Sequence, residues 1–249
     1  MSTESPVYIL IGGGGGIGAS LAKRLADRNA TLVLAGRTEE RLKTVADEIG
    51  CETADCDATS FDEVEELVSN TTEKHGGLDG IVNLAGSILL KPAHLSTPKD
   101  FDDTFDLNVR TAFATVRAAA KTLGKHNGGS IVLMSSCAAE IGLMNHELIA
   151  AAKSAVNGLA RSAAATYAGK KIRVNSVAPG LVETPMAEPI TKNEASRKAS
   201  EALHPLGRLG KPDDVAPIID WLLSDASDWV TGQTIGVDGG LATIKGRGG

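Results

Sequence analysis

The sequence predicts an α/β fold, a single doubly wound domain over residues 1–249 whose parallel sheet is flanked by helices. Three observations carry this expectation. Short β-branched runs alternate with amphipathic segments along most of the chain. The runs are continuously apolar, as in strands covered on both faces. A glycine-rich stretch stands where the first run gives way to the first helical segment. Strand and helix in alternation build parallel neighbours joined by right-handed crossovers.

The first strand is "VYILI", residues 7–11, and a helix is expected near 17–28. Between them, "ILIGGGGGIGAS" sets Gly12, Gly16 and Gly18 at a four-then-two spacing. Such glycines supply φ freedom, close approach of backbone to a pyrophosphate and close helix packing, while the helix amides face the anion. Five consecutive glycines are also what a flexible turn would show; the position between strand and helix favours the phosphate-binding reading. The second strand, "ATLVLA" 30–35, runs into "LAGRTEERL" and a helix over 38–49. Arg37 lies where a nucleotide's ribose edge would rest. An acid there suits two ribose hydroxyls, whereas an arginine suits a 2′-phosphate, so NADP is favoured with NAD as the alternative. The plainer reading is a surface arginine paired with Glu40.

In "ADCDAT", at the end of a third strand, Asp57 is placed to accept from an adenine amino group, or equally to cap the helix expected over 60–75. Strands follow at "LDGIVNLAG" 78–86, "SIVLMSS" 130–136 and "IRVNSVAP" 172–179, separated by helices near 100–124 and 146–168. In the latter, Asn145 is the expected N-cap. Residues 181–211 are the least regular part of the chain, and their prolines suit a mobile lid over a site. A late strand in "TIGVDGG" closes one edge.

Composition narrows the function classes. A net charge of −6 without a basic cluster argues against a nucleic-acid surface. Three cysteines, Cys51, Cys56 and Cys137, lack paired spacing, so neither a disulfide framework nor a zinc site is expected. "HELIA" at 146–150 begins like a metalloprotease helix, but Ala150 stands where the second histidine ligand is required. His75, His94, His126 and His204 are dispersed, so no metal is expected. His94 and His204 are placed on the surface, with the border of a pocket as the alternative. The polar, acidic "MSTESP" start and the absence of an ~18-residue apolar run point to a cytoplasmic protein without a membrane span.

With these motifs in order, the chain resembles the short-chain dehydrogenase/reductase family over nearly its whole length. The matching stretches are "GGGGGIG" 12–18, "CDAT" 56–59, "NLAG" 83–86, "LNVRTAF" 107–113, "SIVLMSS" 130–136, "IRVNSVAPGLVETPM" 172–186, "GRLGKPDDVA" 207–216 and "TGQTIGVDGG" 231–240. The resemblance implies a seven-stranded Rossmann-type parallel sheet and hydride transfer between nicotinamide and a small carbonyl or alcohol substrate. It also implies a homo-oligomer, a tetramer or dimer. By position it implies that Gly12, Gly16, Ile17 and Gly18 line the pyrophosphate, Asp57 the adenine, and Asn83 and Gly86 the cofactor-side strand end, while Thr184 meets the nicotinamide or phosphate end. Ile11 occupies the family's usual threonine position.

The catalytic set implied by the resemblance is Asn108 to hold a relay water, Ser136 to bond substrate oxygen and Lys153 to contact nicotinamide ribose. The family's tyrosine precedes that lysine by four residues and follows that serine by thirteen. Both counts land on Ile149, which transfers no proton, and the neighbouring serine is Ala152. Tyr8 lies in the first strand and Tyr167 about 21 Å along the helix from Lys153, so neither substitutes. Residues three, four and seven apart share a helix face, which sets His146 on the stripe of Ile149 and Lys153. A neutral imidazole there is one candidate to donate to a substrate carbonyl. An exposed first-turn histidine is the plainer reading, and Glu147 is a dipole-compatible acid. The apolar residues Ile88, Leu89, Leu90, Ile141, Leu143, Met144 and Met186 are expected to line the pocket or to belong to the core.

Overall fold

The computed structural model describes residues 5–125 and 128–245. His126 lies outside them. Seven strands, β1 (Val7–Ile11), β2 (Thr31–Gly36), β3 (Glu52–Asp55), β4 (Gly80–Asn83), β5 (Gly129–Met134), β6 (Ile172–Pro179) and β7 (Thr234–Val237), form one sheet in the order β3-β2-β1-β4-β5-β6-β7. All pairings are parallel. The chain order reverses where β1 lies against β4, and ligands of such sheets bind beyond the strand ends at that switch point.

The helices are α1 (Gly16–Ala26), α2 (Glu39–Ile49), α3 (Phe61–His75), α4 (Pro98–Phe105), α5 (Thr111–Leu123), α6 (Glu147–Tyr167), α7 (Glu188–Thr191), α8 (Glu194–Leu203) and α9 (Pro212–Leu223). Successive strand side chains point to opposite faces, so both parities must be apolar when both faces are covered. Thus Ile9, Ile11, Val33, Ile81 and Ile131 pack with α3, α5 and α6. Tyr8, Leu10, Leu32, Leu34, Val82 and Val132 pack with α1, α2 and α9. Ile11 is therefore a core side chain, 1% exposed.

Several boundaries differ from the expectation for local reasons. β3 alternates half-buried with exposed residues because it is the sheet edge. The strand expected over 78–86 pairs only from Gly80 to Asn83, and Leu84 to Gly86 turn away as a loop. The helix expected over 100–124 is two helices joined by a π turn at Asp106–Arg110. Asn145 does not cap α6: it occupies the left-handed region at φ 62, and His146 is the N-cap. Asp57 does not cap α3 either, since Ser60 does, accepting from the Glu63 amide.

Residues 181–211 are more ordered than their prolines predict. Asn193 caps α8 through the Ser196 amide at 2.9 Å, and Glu194–Lys198 and Arg197–Glu201 pairs follow one face of it. At the base of the segment, Gly210 donates to the Leu181 carbonyl and Glu183 to the Gly210 carbonyl, each at 2.9 Å. The helix α9 was not anticipated, because Pro212 and Pro217 interrupt its pattern; Pro212 sits in the first turn, where its missing N–H costs nothing. Among the described residues no helix is long and apolar enough to cross a membrane. Cys51, Cys56 and Cys137 are free, and burial pushes each thiol up to about 11.

Candidate active site

A cavity of about 300 Å³ opens beyond the ends of β1, β4, β5 and β6, with the glycine loop at one end and the 181–211 segment at the other. At the glycine end the backbone is packed so closely that side chains have no room. A Cβ on Gly12, at φ +81, would lie 3.0 Å from the Leu84 carbonyl carbon, and one on Gly18 would lie 2.7 Å from the Gly12 and Gly13 oxygens. The first helical bond of α1 runs from Ala19 to the Gly15 carbonyl, so the amides of Gly16, Ile17 and Gly18 begin the helix without an i−4 partner. Gly15 at the N-cap has no side chain to satisfy them. These amides and the positive end of the helix dipole are suited to an anion. Thr184 closes this end from the far side, since a Cβ on Gly16 would meet its Cγ2 at 3.0 Å.

Among the cofactor residues expected from sequence, Gly12, Gly16, Ile17, Gly18, Gly86, Lys153 and Thr184 line the cavity, whereas Arg37, Asp57 and Asn83 do not. Arg37 is exposed, and no ion pair joins it to Glu40 among the described residues. The Thr59 amide, with the Thr59 hydroxyl and the Arg37 charge, holds the Asp57 carboxyl below its ordinary range. Asn83 faces inward: its Nδ2 donates to Thr115 Oγ1 at 3.0 Å and its Oδ1 accepts from the Ala85 amide at 2.8 Å. It therefore shapes the β4 exit loop. Arg41 lines the cavity beside the glycine loop and escaped the sequence reading, although it lies one turn after Arg37.

Ser136, His146, Ile149 and Lys153 line the middle of the cavity, whereas Asn108 lies buried behind its wall. Asn108 sits buried in the π turn, donating to the Thr104 carbonyl at 2.9 Å and Ser87 Oγ at 3.0 Å while accepting from the Ser87 amide at 3.2 Å. π turns of this kind recur at functional sites. A Cβ on Gly86 would lie 2.8 Å from Asn108 Oδ1 and 3.3 Å from Lys153 Nζ, so this glycine lets three elements converge. Lys153 is 6% exposed and donates to the Met134 carbonyl at 2.9 Å. Burial, with no counter-ion among the described residues, lowers its pKa to about 8. Ser136 accepts the Ala138 amide at 3.2 Å, which leaves its hydroxyl hydrogen free to donate. Ile149, 4% exposed, lines the same cavity, and Ala152 behind it is fully buried. Tyr8 is buried in the sheet with its pKa pushed up to about 12, and Tyr167 packs at the far end of α6, so no tyrosine reaches.

His146 does line the cavity, but in a different protonation pattern from the one expected. Its Nδ1 lies 2.7 Å from the Met144 carbonyl, which only accepts, so Nδ1 carries the hydrogen and the neutral ring offers Nε2 as an acceptor. Donation from Nε2 toward the cavity requires that this nitrogen also carry a hydrogen. The remaining wall is apolar: Ile88, Leu90, Leu143 and Met186 line it as expected, while Leu89, Ile141 and Met144 do not. His204, assigned to the surface from sequence, is 4% exposed and borders the cavity; His94 is exposed. Nothing in "ALHPLG" signals that burial, because one of its two partners, the Leu181 amide, lies 23 residues away along the chain.

Comparison with known proteins places this geometry among related chains. A family profile described as enoyl-(acyl carrier protein) reductase matches residues 12–242. The 3-oxoacyl-[acyl-carrier-protein] reductase FabG of Thermotoga maritima is 35% identical over 248 residues, 97% of this chain and 99% of that protein. A short-chain type dehydrogenase/reductase of Mycobacterium ulcerans superposes with a TM-score of 0.91 at 33% identity, covering 99% of this chain and 93% of that one. A variant actinorhodin polyketide ketoreductase with NADPH gives 0.92 at 28% identity, over 98% and 100% of the two chains.

Proposed function

The chain belongs to the short-chain dehydrogenase/reductase family, and on that footing we propose that it is an NADP(H)-preferring oxidoreductase acting on a small carbonyl or alcohol substrate, with proton transfer that does without the tyrosine. The observation that carries this reading is the single cavity that joins the glycine loop to Ser136 and Lys153 across Ile149. The bare amides of Gly16, Ile17 and Gly18 fit a pyrophosphate, and Gly12, Gly18 and Gly86 leave room that any side chain would fill. Bound there, the dinucleotide supplies or accepts the hydride.

The chain's own groups do the remainder. Ser136 donates its hydroxyl hydrogen to the substrate oxygen. Lys153, titrating near neutrality, holds a proton beside the reacting centre that water can relay, and Asn108 fixes the Ser87 loop around that relay. His146 contributes a proton only as the imidazolium. Losing one general acid costs roughly 10²- to 10⁴-fold, which a positioned hydride donor tolerates as a slow reaction. Arg41 lines the glycine end of the cavity; Arg37, one turn earlier in the chain, is the cation proposed for the 2′-phosphate, with Asp57 for the adenine. The apolar far wall favours a substrate with a hydrophobic body. A cytoplasmic setting is proposed with it, and a homo-oligomer is the assembly proposed from the family.

Fluorescence titration with NADPH and NADH, then NADPH consumption against a panel of carbonyl compounds, tests the reading. Tight NADPH binding with turnover of an apolar ketone is expected. Binding without turnover on any carbonyl would favour a second reading, a noncatalytic NADP-binding sensor or partner subunit, for which the burial of Ile149 and Ala152 speaks. Binding with non-redox conversion would mark the scaffold as a different enzyme. Arg37→Ala should weaken NADPH about tenfold or more and NADH little, as expected for one charge-assisted contact to a 2′-phosphate; equal losses would remove the NADP preference.

A further inference from the structure

We infer that His204 is a positioning residue whose imidazole pins the helix α8 to the sheet frame and so holds the cover over the substrate end of the cavity. This inference rests on the reading of that end as a substrate site. Its origin is local. Pro205 has no N–H, so the Glu201 carbonyl has no i+4 donor, and the His204 amide turns to it at 3.1 Å. The Ser200 carbonyl is left open, and the imidazole of the same residue closes it, with Nδ1 at 2.7 Å.

The second nitrogen makes the connection to the frame. Nε2 lies 3.2 Å from the Leu181 amide, which only donates. A carbonyl on one side and an amide on the other select one neutral form, with hydrogen on Nδ1 and the lone pair on Nε2. Leu181 follows Gly180, whose amide donates to the Val237 carbonyl of β7 at 3.1 Å, so the bond reaches the sheet edge. Gly180 opens the slot: a Cβ there would lie 2.5 Å from Nε2 and 3.1 Å from the Asp238 Cα.

The position of α8 matters because Ser200 and Leu203 from it line the cavity together with His204, Ile149 and Lys153. The other tie of α8 to this loop, Arg197 to Glu183, is about a third exposed on both side chains and contributes little in physiological salt. The imidazole is the buried tie. Removing it frees α8 to swing while the reacting groups on β5 and α6 stay in place, so substrate binding should suffer more than the chemical step.

Two substitutions separate the pin from a simple helix cap. His204→Asn keeps a donor near the Ser200 carbonyl but is too short for the Leu181 amide; His204→Gln extends an acceptor toward that amide. Long-range ¹H–¹⁵N NMR on the full chain is expected to show the Nδ1–H form of His204 in the wild type. Amide exchange at Leu181 should accelerate at least tenfold in His204→Asn and slow again in His204→Gln. Neither readout requires turnover, so both stand if the enzymatic reading fails. Where a carbonyl compound is turned over, KM should rise about tenfold in His204→Asn with kcat within twofold, and recover in His204→Gln. An Nε2–H tautomer, unchanged Leu181 exchange in His204→Asn, or a loss confined to kcat would overturn the assignment.

Discussion

At Ile149 a side chain with no transferable proton shares a cavity with a free serine hydroxyl and a lysine that titrates near neutrality. On the proposed reading, this one residue should limit the rate. Ile149→Tyr is expected to raise NADPH-dependent turnover of an apolar ketone by roughly 10² or more, the worth of a positioned general acid. The larger ring enters the cavity, so the overpacking cost should stay near the lower end of ~1–3 kcal/mol. Unchanged turnover in a folded variant would show that hydride transfer to a carbonyl is not what this site does. His146 teaches the complementary lesson, since it lies at the N-cap just before α6 rather than in its first turn, and the Met144 carbonyl dictates which nitrogen carries the hydrogen.

Among the elements, the π turn between α4 and α5 and the helices of the 181–211 segment carry most of what the alternation pattern alone does not specify. From the π turn the Asn108 side chain reaches the Thr104 carbonyl and at the same time holds the amide and the hydroxyl of Ser87. Asn108→Leu should lower stability by about 1–3 kcal/mol by leaving these groups unpaired. Thermal unfolding checks the magnitude, and faster exchange of the Ser87 amide locates it; a variant as stable as the wild type, with Ser87 still protected, would contradict the account. The 181–211 segment shows the limit of reading prolines as breakers. Pro189 occupies the first turn of α7 and Pro205 follows α8, positions at which proline bounds helices rather than excluding them.

For the whole molecule, burying Lys153 couples the site to global stability. Its pKa is about 8 in the fold and ~10.4 when unfolded, so between these values the unfolded chain holds the extra proton and stability rises with pH. Below pH 8 the fold carries a desolvated ammonium at a cost on the order of 3 kcal/mol. Lys153→Met should therefore melt higher than the wild type at pH 7, with the advantage shrinking toward pH 10, while NADPH affinity falls. An advantage constant with pH would mean that the ammonium is not destabilising. Much of this molecule was legible in the sequence. Strand–helix alternation and the glycine turn follow from periodicity and spacing within a few turns of chain, which is the range over which local sterics and motif geometry act, whereas the roles given to Ser136 and Lys153 and the missing tyrosine at Ile149 are what the family resemblance implies. Tertiary structure alone decided that Asn83 turns inward to Thr115, that Arg41 joins the glycine end, that Lys153 is desolvated, and that His204 is buried against the Leu181 amide. Desolvation and hydrogen-bond partnership are properties of neighbours brought together from distant parts of the chain, and no pattern within one segment encodes them.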